Sequence, residues 1–291
     1  MQILASRLAG TWYAGDRDDL RAGIEAMLEQ ASPRGLGDVR ALLVPHAGYA
    51  YSGATAAAAY REVRGASCDR VILLGPSHRI PLVDQAVIPR AAALRTILGD
   101  APLDTAAASR RLAQPGFDDA PEALPGEHSV EIQFPWLQVV LPGVPVLPIV
   151  VGRLSERAVA ALADGLRREW TDRTLLVVSS DFTHYGQAFG YVPFAEPPEE
   201  ALRALDLGAF ACIENHDAQG FRAYLARTGA TICGSDPIHL LLALMRKNQV
   251  VHRLAYTTSG RLTGDWSHTV SYLAAAVTGP SRAPAAEDPA P

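Results

Sequence analysis

The chain has 291 residues, 48% of them hydrophobic, and a formal net charge of -5 at pH 7. That apolar content suffices to bury one large core, and the mild acidity leaves no polybasic footprint, which excludes nucleic acid as an expected partner. No run approaches the ~18 apolar residues of a membrane helix, and "MQILASRLAGTWYAGDRDDL" lacks the apolar centre of a signal peptide. Cys68, Cys212 and Cys233 are too few and odd in number for a disulfide framework, so a cytoplasmic protein without membrane contact is expected.

Taken in chain order, the first predicted element is a helix over 16–31. Asp16 can cap it, acids occupy its first turn, and Leu20, Ile24, Met27 and Leu28 share a face. "VRALLVP" (39–45) predicts a strand, "GATAAAAYREV" (53–63) a helix and "RVILLG" (70–75) a second strand. Strands that are continuous apolar runs imply parallel pairing, with a right-handed crossover. "LVDQAVIP" (82–89) predicts a shorter strand and "LDTAAASRRLAQ" (103–114) a helix. "EHSVEIQFPWLQVVLP" (127–142) predicts a helix in which Pro135 sits in the first turns or makes a kink. A strand over 144–152, a capped helix over 155–170 and the strand "TLLVVSSD" (174–181) follow. Helices are predicted over 201–215, 217–228 and 236–248, the last with Pro237 in its first turn. Strands over 250–259 and 268–278 close the chain in a hairpin-like pairing. The alternation predicts a single three-layer α/β domain, residues 1–279, with a mostly parallel central sheet flanked by helices. The Pro/Ala/acidic tail, 280–291, is expected to be disordered.

Ligands of open α/β sheets bind outside the carboxyl ends of the strands. Three apolar strands each deliver a histidine within a few residues of such an end: His46, His78 and His184, the last preceded by Asp181. Any one of them alone is explained as a turn residue or a buried hydrogen-bond partner; Asp181 alone reads as a helix cap. The set of three is better explained by a shared crevice, because neutral imidazole is both a metal ligand and a proton shuttle near pH 7. Two histidines and one anionic ligand with open positions suit non-haem iron(II), and the anionic ligand is either Asp181 or the thiolate of Cys233. "GEHSVEIQ" adds Glu127, His128 and Glu131 as supporting or acid/base groups, or as a capping cluster at a helix start. Trp12, Tyr49 and Tyr51 are candidate aromatic pocket walls. His216, His239, His252 and His268 have no supporting context and are read as structural or exposed, and Cys68 and Cys212 as small apolar residues.

Six motifs in order carry a resemblance: "GTWY" (10–13), "PHAGYAYSG" (45–53), "LGPSH" (74–78), "EHSVEIQFP" (127–135), "VVSSDFTHYG" (177–186) and "TICGSDPI" (231–238). Together, over roughly residues 8–278, they resemble the Memo family, whose bacterial members are also called AmmeMemoRadiSam system protein B. The resemblance implies a fold similar to class III extradiol dioxygenases. It implies a metal pocket in which His46, His78 and Cys233 are the ligands, Asp181 and His184 complete the pocket, and His184 is an acid/base group. It further implies iron(II) or copper as cofactor, with zinc as an alternative. A thiolate in place of the dioxygenases' carboxylate departs from the ring-cleaving pattern. The partners implied are a small-molecule or peptide ligand and a radical-SAM protein. Three functions follow as expectations. The first is a metal-dependent, dioxygenase-like oxidoreductase. The second is a zinc hydrolase with His184 or Glu127 as base. The third is a non-catalytic adaptor that uses the same pocket.

Overall fold

Asp16 accepts hydrogen bonds from the backbone N–H groups of Asp18 and Asp19 and so starts α1 (Arg17–Gln30), which buries Leu20, Ile24 and Leu28 one turn apart. It is preceded by the short β1 (Ile3–Ala5) and followed by β2 (Val39–Val44), α2 (Tyr49–Tyr60) and β3 (Arg70–Pro76). Helix α2 starts four residues earlier than "GATAAAAYREV" predicts, because the Tyr49 N–H is tied to the Trp12 carbonyl at 2.9 Å. Then come β4 (Ala86–Ile88), β5 (Ala93–Thr96), β6 (Gly99–Pro102), α3 (Thr105–Leu112) and β7 (Phe117–Asp119). The helix expected over 127–142 is two, α4 (His128–Glu131) and α5 (Gln133–Val140). Pro135 explains the break: it has no N–H for the Glu131 carbonyl and its ring crowds that group, whereas in the first turn of α5 its missing donor costs nothing. The remaining elements are β8 (Val146–Val151), α6 (Glu156–Arg167), β9 (Thr174–Ser179), β10 (His184–Gly186), α7 (Glu199–Glu214), α8 (Ala218–Thr228), α9 (Ser235–Leu244), β11 (Val250–Thr258), α10 (Ser259–Thr263) and β12 (His268–Thr278). This computed structural model describes residues 2–194 and 198–279; the tail expected to be disordered lies outside the described residues.

The main sheet has the order β10-β12-β2-β9-β3-β8-β4-β7, with β11 on the other side of β12. Its four central strands, β2, β9, β3 and β8, run parallel. The flanks do not: β12 is antiparallel to β2, β10 and β11, and β4 is antiparallel to β8. The sheet is therefore mixed, where a mostly parallel one was expected. Only the nine residues 259–267, α10 among them, join β11 to β12, too short for a parallel crossover. A small second sheet, β1-β5-β6, packs beside it.

Successive residues of the central strands face opposite helical layers. Leu42, Val44, Val71, Leu73, Leu175 and Val177 pack with α1, α2 and α5. Ala41, Leu43, Ile72, Leu74, Leu176 and Val178 pack with α3, α6, α7, α8 and α9. Both faces are covered, which is why these strands read as unbroken apolar runs. On α6, Ser155 caps the N-terminus and Val159, Leu162, Ala163 and Leu166 form the buried stripe. Each fully buried leucine of this kind contributes about 1.5–3 kcal/mol. Among the described residues, no helix is long and apolar enough to cross a membrane.

Candidate metal centre

β9 lies between β2 and β3, so the loops leaving the carboxyl ends of these three strands are adjacent. His46, Asp181 and His78 each stand two residues beyond the last residue of β2, β9 and β3. Two of the three histidines expected to converge, His46 and His78, meet here beside Asp181. The His46 backbone N–H donates to Asp181 Oδ1 at 2.7 Å, and the His46 and His78 rings meet edge to face with centroids 5.3 Å apart.

His128 completes the cluster. The ligand nitrogens of His46, His78 and His128 lie within 4.8 Å of one another. The His128 ring stacks between Trp12 and His78, with both centroid separations 4.4 Å. Contacts between α4 and β3 place it there. Ser129 Oγ donates to the Pro76 carbonyl at 2.7 Å, and a Cβ at Gly75 would fall 2.6 Å from Val130 Cγ2 and 2.8 Å from Ser129 Oγ. Only glycine lets α4 settle on the end of that strand. Glu127 fixes His78 from behind: Oε1 pairs with His78 Nδ1 at 2.9 Å, and Oε2 accepts the His78 N–H at 2.8 Å. Oε1 also accepts the Ser129 N–H at 3.2 Å, capping α4. Both oxygens are engaged, so Glu127 supports the site and is not a free base.

Cys233 touches His46: its Sγ is 3.1 Å from Nε2, and it donates to the Asp181 carbonyl at 3.6 Å. It stands outside the set of three nitrogens but against it, as a further donor. His184 is held by Thr231. Its Nδ1 faces two carbonyls, Phe182 at 3.0 Å and Thr231 at 3.1 Å, and its N–H donates to Thr231 Oγ1 at 2.9 Å. Carbonyls only accept, so Nδ1 carries the proton and Nε2 is left with its lone pair. Thr183, between Asp181 and His184, is clamped by the buried Asp206, which also accepts from Tyr256.

Burial governs the electrostatics. It holds the His46 pKa well below the ordinary imidazole value, helped by His128, His78 and His184. It lowers His128 to about 4, with His78 adding to the effect. Burial also lowers His184, against the hydrogen bonds to Thr231 and Phe182. It raises Asp181 to about 7, and pushes the Cys233 thiol up, with Asp181 reinforcing the shift. For Glu127, burial works upward, but the side-chain and backbone hydrogen bonds from His78 hold its carboxyl below the usual range. Burial thus keeps His46 and His128 neutral, with lone pairs available. A bound cation would reverse the pressure on the thiol.

The aromatic candidates separate. Trp12 lies over His128. Tyr49 sits behind the site in the core, its hydroxyl donating to the Ile132 carbonyl at 2.8 Å and its ring tilted against Trp136. Tyr51 is 47% exposed and lines a neighbouring cavity of about 330 Å³ with His268 and Tyr272. His268 stacks on Phe189, which in turn meets His184 edge to face. Glu131 ties the N-terminal segment to the loop before α4, accepting from the backbone N–H groups of Arg7 and Gly126. His239 is buried against Phe221, and His252 pairs with Thr278. Sequence reasoning missed Ser179, Gln133 and Thr231; they lie inside the quoted motifs, but a serine, a glutamine or a threonine there carries no ligand signal of its own.

The Memo-like protein family profile matches residues 5–276. The chain belongs to the Memo family. It is 33% identical over 280 residues to "Protein memo-1 homolog" of Caenorhabditis elegans, covering 91% of this chain and 79% of that protein. It is 33% identical to "Protein MEMO1" of Danio rerio over 92% of this chain and 95% of that one, and 32% identical to the Homo sapiens protein of the same name over 93% and 95%. In architecture it is similar to the crystal structure of the uncharacterized protein JW3007 from Escherichia coli K12. The TM-score is 0.52 at 13% identity, covering 83% of this chain and all of the other; this likeness concerns the fold alone. Within the Memo family frame, the three-histidine cluster of this chain is a set of residues that could hold a metal ion.

Proposed function

We propose that this Memo family protein is a metal-dependent oxidoreductase. Its centre is held by His46, His78 and His128, with the Cys233 sulfur as an additional donor, and its metal is iron or copper. The observation that carries the reading is the convergence of three imidazoles, their ligand nitrogens within 4.8 Å of one another, with a sulfur 3.1 Å from one of them. Imidazole suits iron, copper and zinc, and a sulfur donor shifts preference toward softer metals, copper(I) and zinc among them. A bound iron or copper ion would supply one-electron chemistry toward O2 or a small phenolic or reduced substrate.

The chain's own groups do the rest. His184 offers Nε2 as the acceptor of a substrate proton, because Nδ1 is committed to two carbonyls. Asp181, pinned by the His46 N–H and raised to about 7 by burial, exchanges a proton near neutral pH. Glu127 orients His78, and Trp12 stacks on the His128 ring.

The test is anaerobic loading with Fe(II) and with Cu(I), followed by elemental analysis and absorption spectroscopy. The reading expects one ion per chain, loss of binding in His46→Ala and His78→Ala, and a change of spectrum on exposure to oxygen. A protein that retains only zinc and shows no redox response would favour the hydrolytic alternative. One that takes up no metal would leave the adaptor reading.

A further inference from the structure

We infer that Gln133 is a positioning residue of this centre, acting on His46 through Ser179. The inference rests on the metal-centre reading above. His46 turns Nδ1 to Ser179 Oγ at 3.0 Å, which aims Nε2 at the site and at Cys233. Ser179 Oγ is itself held by Gln133 Nε2 at 2.9 Å. The amide has one possible orientation. Its nitrogen also donates to the Pro45 carbonyl at 3.0 Å, and a carbonyl can only accept. Oε1 must then face Tyr60, whose hydroxyl donates to it at 2.9 Å. Tyr60, Gln133 and Ser179 have no exposed surface, so water cannot replace any member of the chain. Gln133 therefore ties the end of β2, at Pro45, to the end of β9, at Ser179. These are the neighbouring strands that carry His46 and Asp181 into the site.

With an ion on Nε2, Nδ1 carries the imidazole proton and Ser179 accepts it, through Oγ at 3.0 Å beside a backbone contact to the same residue. The position of that acceptor sets the ring's direction, and the Gln133 amide sets the acceptor. Such outer partners of a ligand histidine typically govern metal affinity by ~10–100-fold. A residue that merely filled the core would change stability and leave affinity alone.

The experiment uses zinc and cobalt(II), neither of which needs protection from air. Zinc affinity is measured by chelator competition and cobalt binding by its absorption bands, in the wild type, Ser179→Ala, Gln133→Leu, the double variant and Tyr60→Phe. Ser179→Ala and Gln133→Leu should each weaken zinc by ~10–100-fold. The double variant should bind about as weakly as the worse single one, since the two residues act in series. Tyr60→Phe removes only the donor to Oε1; it should lower stability and hold zinc affinity within about twofold, because the Pro45 bond still fixes the amide. The cobalt bands should shift in Ser179→Ala. Wild-type affinity in Ser179→Ala, or losses that add in the double variant, would overturn the inference alone. A wild-type protein that binds neither ion overturns it together with the metal centre. If Gln133→Leu does not fold, Ser179→Ala and its cobalt spectrum decide.

Discussion

Gly234 places Cys233, and replacing it with alanine isolates one physical cause. Its φ of -91° and ψ of 28° are open to any residue, so alanine meets no backbone strain there. Space is what forbids it. A Cβ would lie 2.4 Å from Ser180 Cβ, 2.5 Å from Ser180 Oγ and 2.8 Å from the Ser179 carbonyl oxygen. These neighbours belong to the end of β9 and to a buried short side chain, so neither can swing aside. Overpacking of this kind costs about 1–3 kcal/mol. Displacement also endangers the 3.0 Å bond from the Gly234 N–H to Ser180 Oγ, a loss of about 1 kcal/mol. The reduced freedom of the unfolded chain returns only about 0.4–1 kcal/mol, so the net effect is a destabilisation of roughly 1–3 kcal/mol. Equilibrium urea unfolding at neutral pH measures it, with Gly23→Ala as the control. Gly23 sits inside α1 with nothing within 4 Å of its added Cβ, so alanine should stabilise by about 0.5–1 kcal/mol. Equal stabilisation by both substitutions would refute the close approach of Gly234 to β9, and with it the account of how the sulfur reaches His46.

Two further outcomes follow from buried ionisable groups. Glu127→Gln puts an NH2 against one of the His78 donors, and should lower the unfolding free energy at pH 7 by about 1.5–3 kcal/mol. Because the folded carboxyl is held below its ordinary 4.5, its contribution is complete above that pH and fades as the pH falls further. The gap in melting temperature between variant and wild type should therefore narrow below about pH 4.5 in a thermal unfolding series. His239 is buried, and neither ring nitrogen is in a well-formed hydrogen bond. Burial first, and then the Arg222 charge, lower its pKa from 6.5 to about 4, with the Ser235 backbone opposing weakly. Below pH 6.5 the unfolded chain takes a proton that the folded one refuses, so stability falls between pH 6.5 and 4 by up to about 3 kcal/mol. His239→Leu should remove that component, be neutral or stabilising at pH 7, and show a flatter stability profile over this window in denaturant titrations; an unchanged profile would refute the assignment.

Much of the fold was legible in the residues. Continuous apolar runs such as 71–74 and 175–178 mark strands covered on both faces, and Asp16 and Ser155 mark helix starts, because these signals are local. The short strands β1, β5, β6, β7 and β10 were not legible: three or four residues are too few to show a period, and their pairing partners supply the reason they are strands. The hairpin-like pairing of β11 with β12 was legible from their short connection; that β12 also runs antiparallel to β2, and β4 to β8, was hidden, since it depends on neighbours distant in sequence.

The candidate site divides along the same line. That His46, His78 and Asp181 follow strand ends, each two residues on, was determined by the sequence, because a buried parallel strand delivers whatever comes next to one edge of the sheet. That His128 joins them as the third nitrogen was decided by the packing of α4 on β3 at Gly75. The contact of Cys233 with His46, and the chain from Tyr60 through Gln133 and Ser179, likewise join residues far apart in sequence. Local pattern carries strand ends and caps; which distant side chains then share a few ångströms depends on how the layers close over one another, and only the folded chain holds that information.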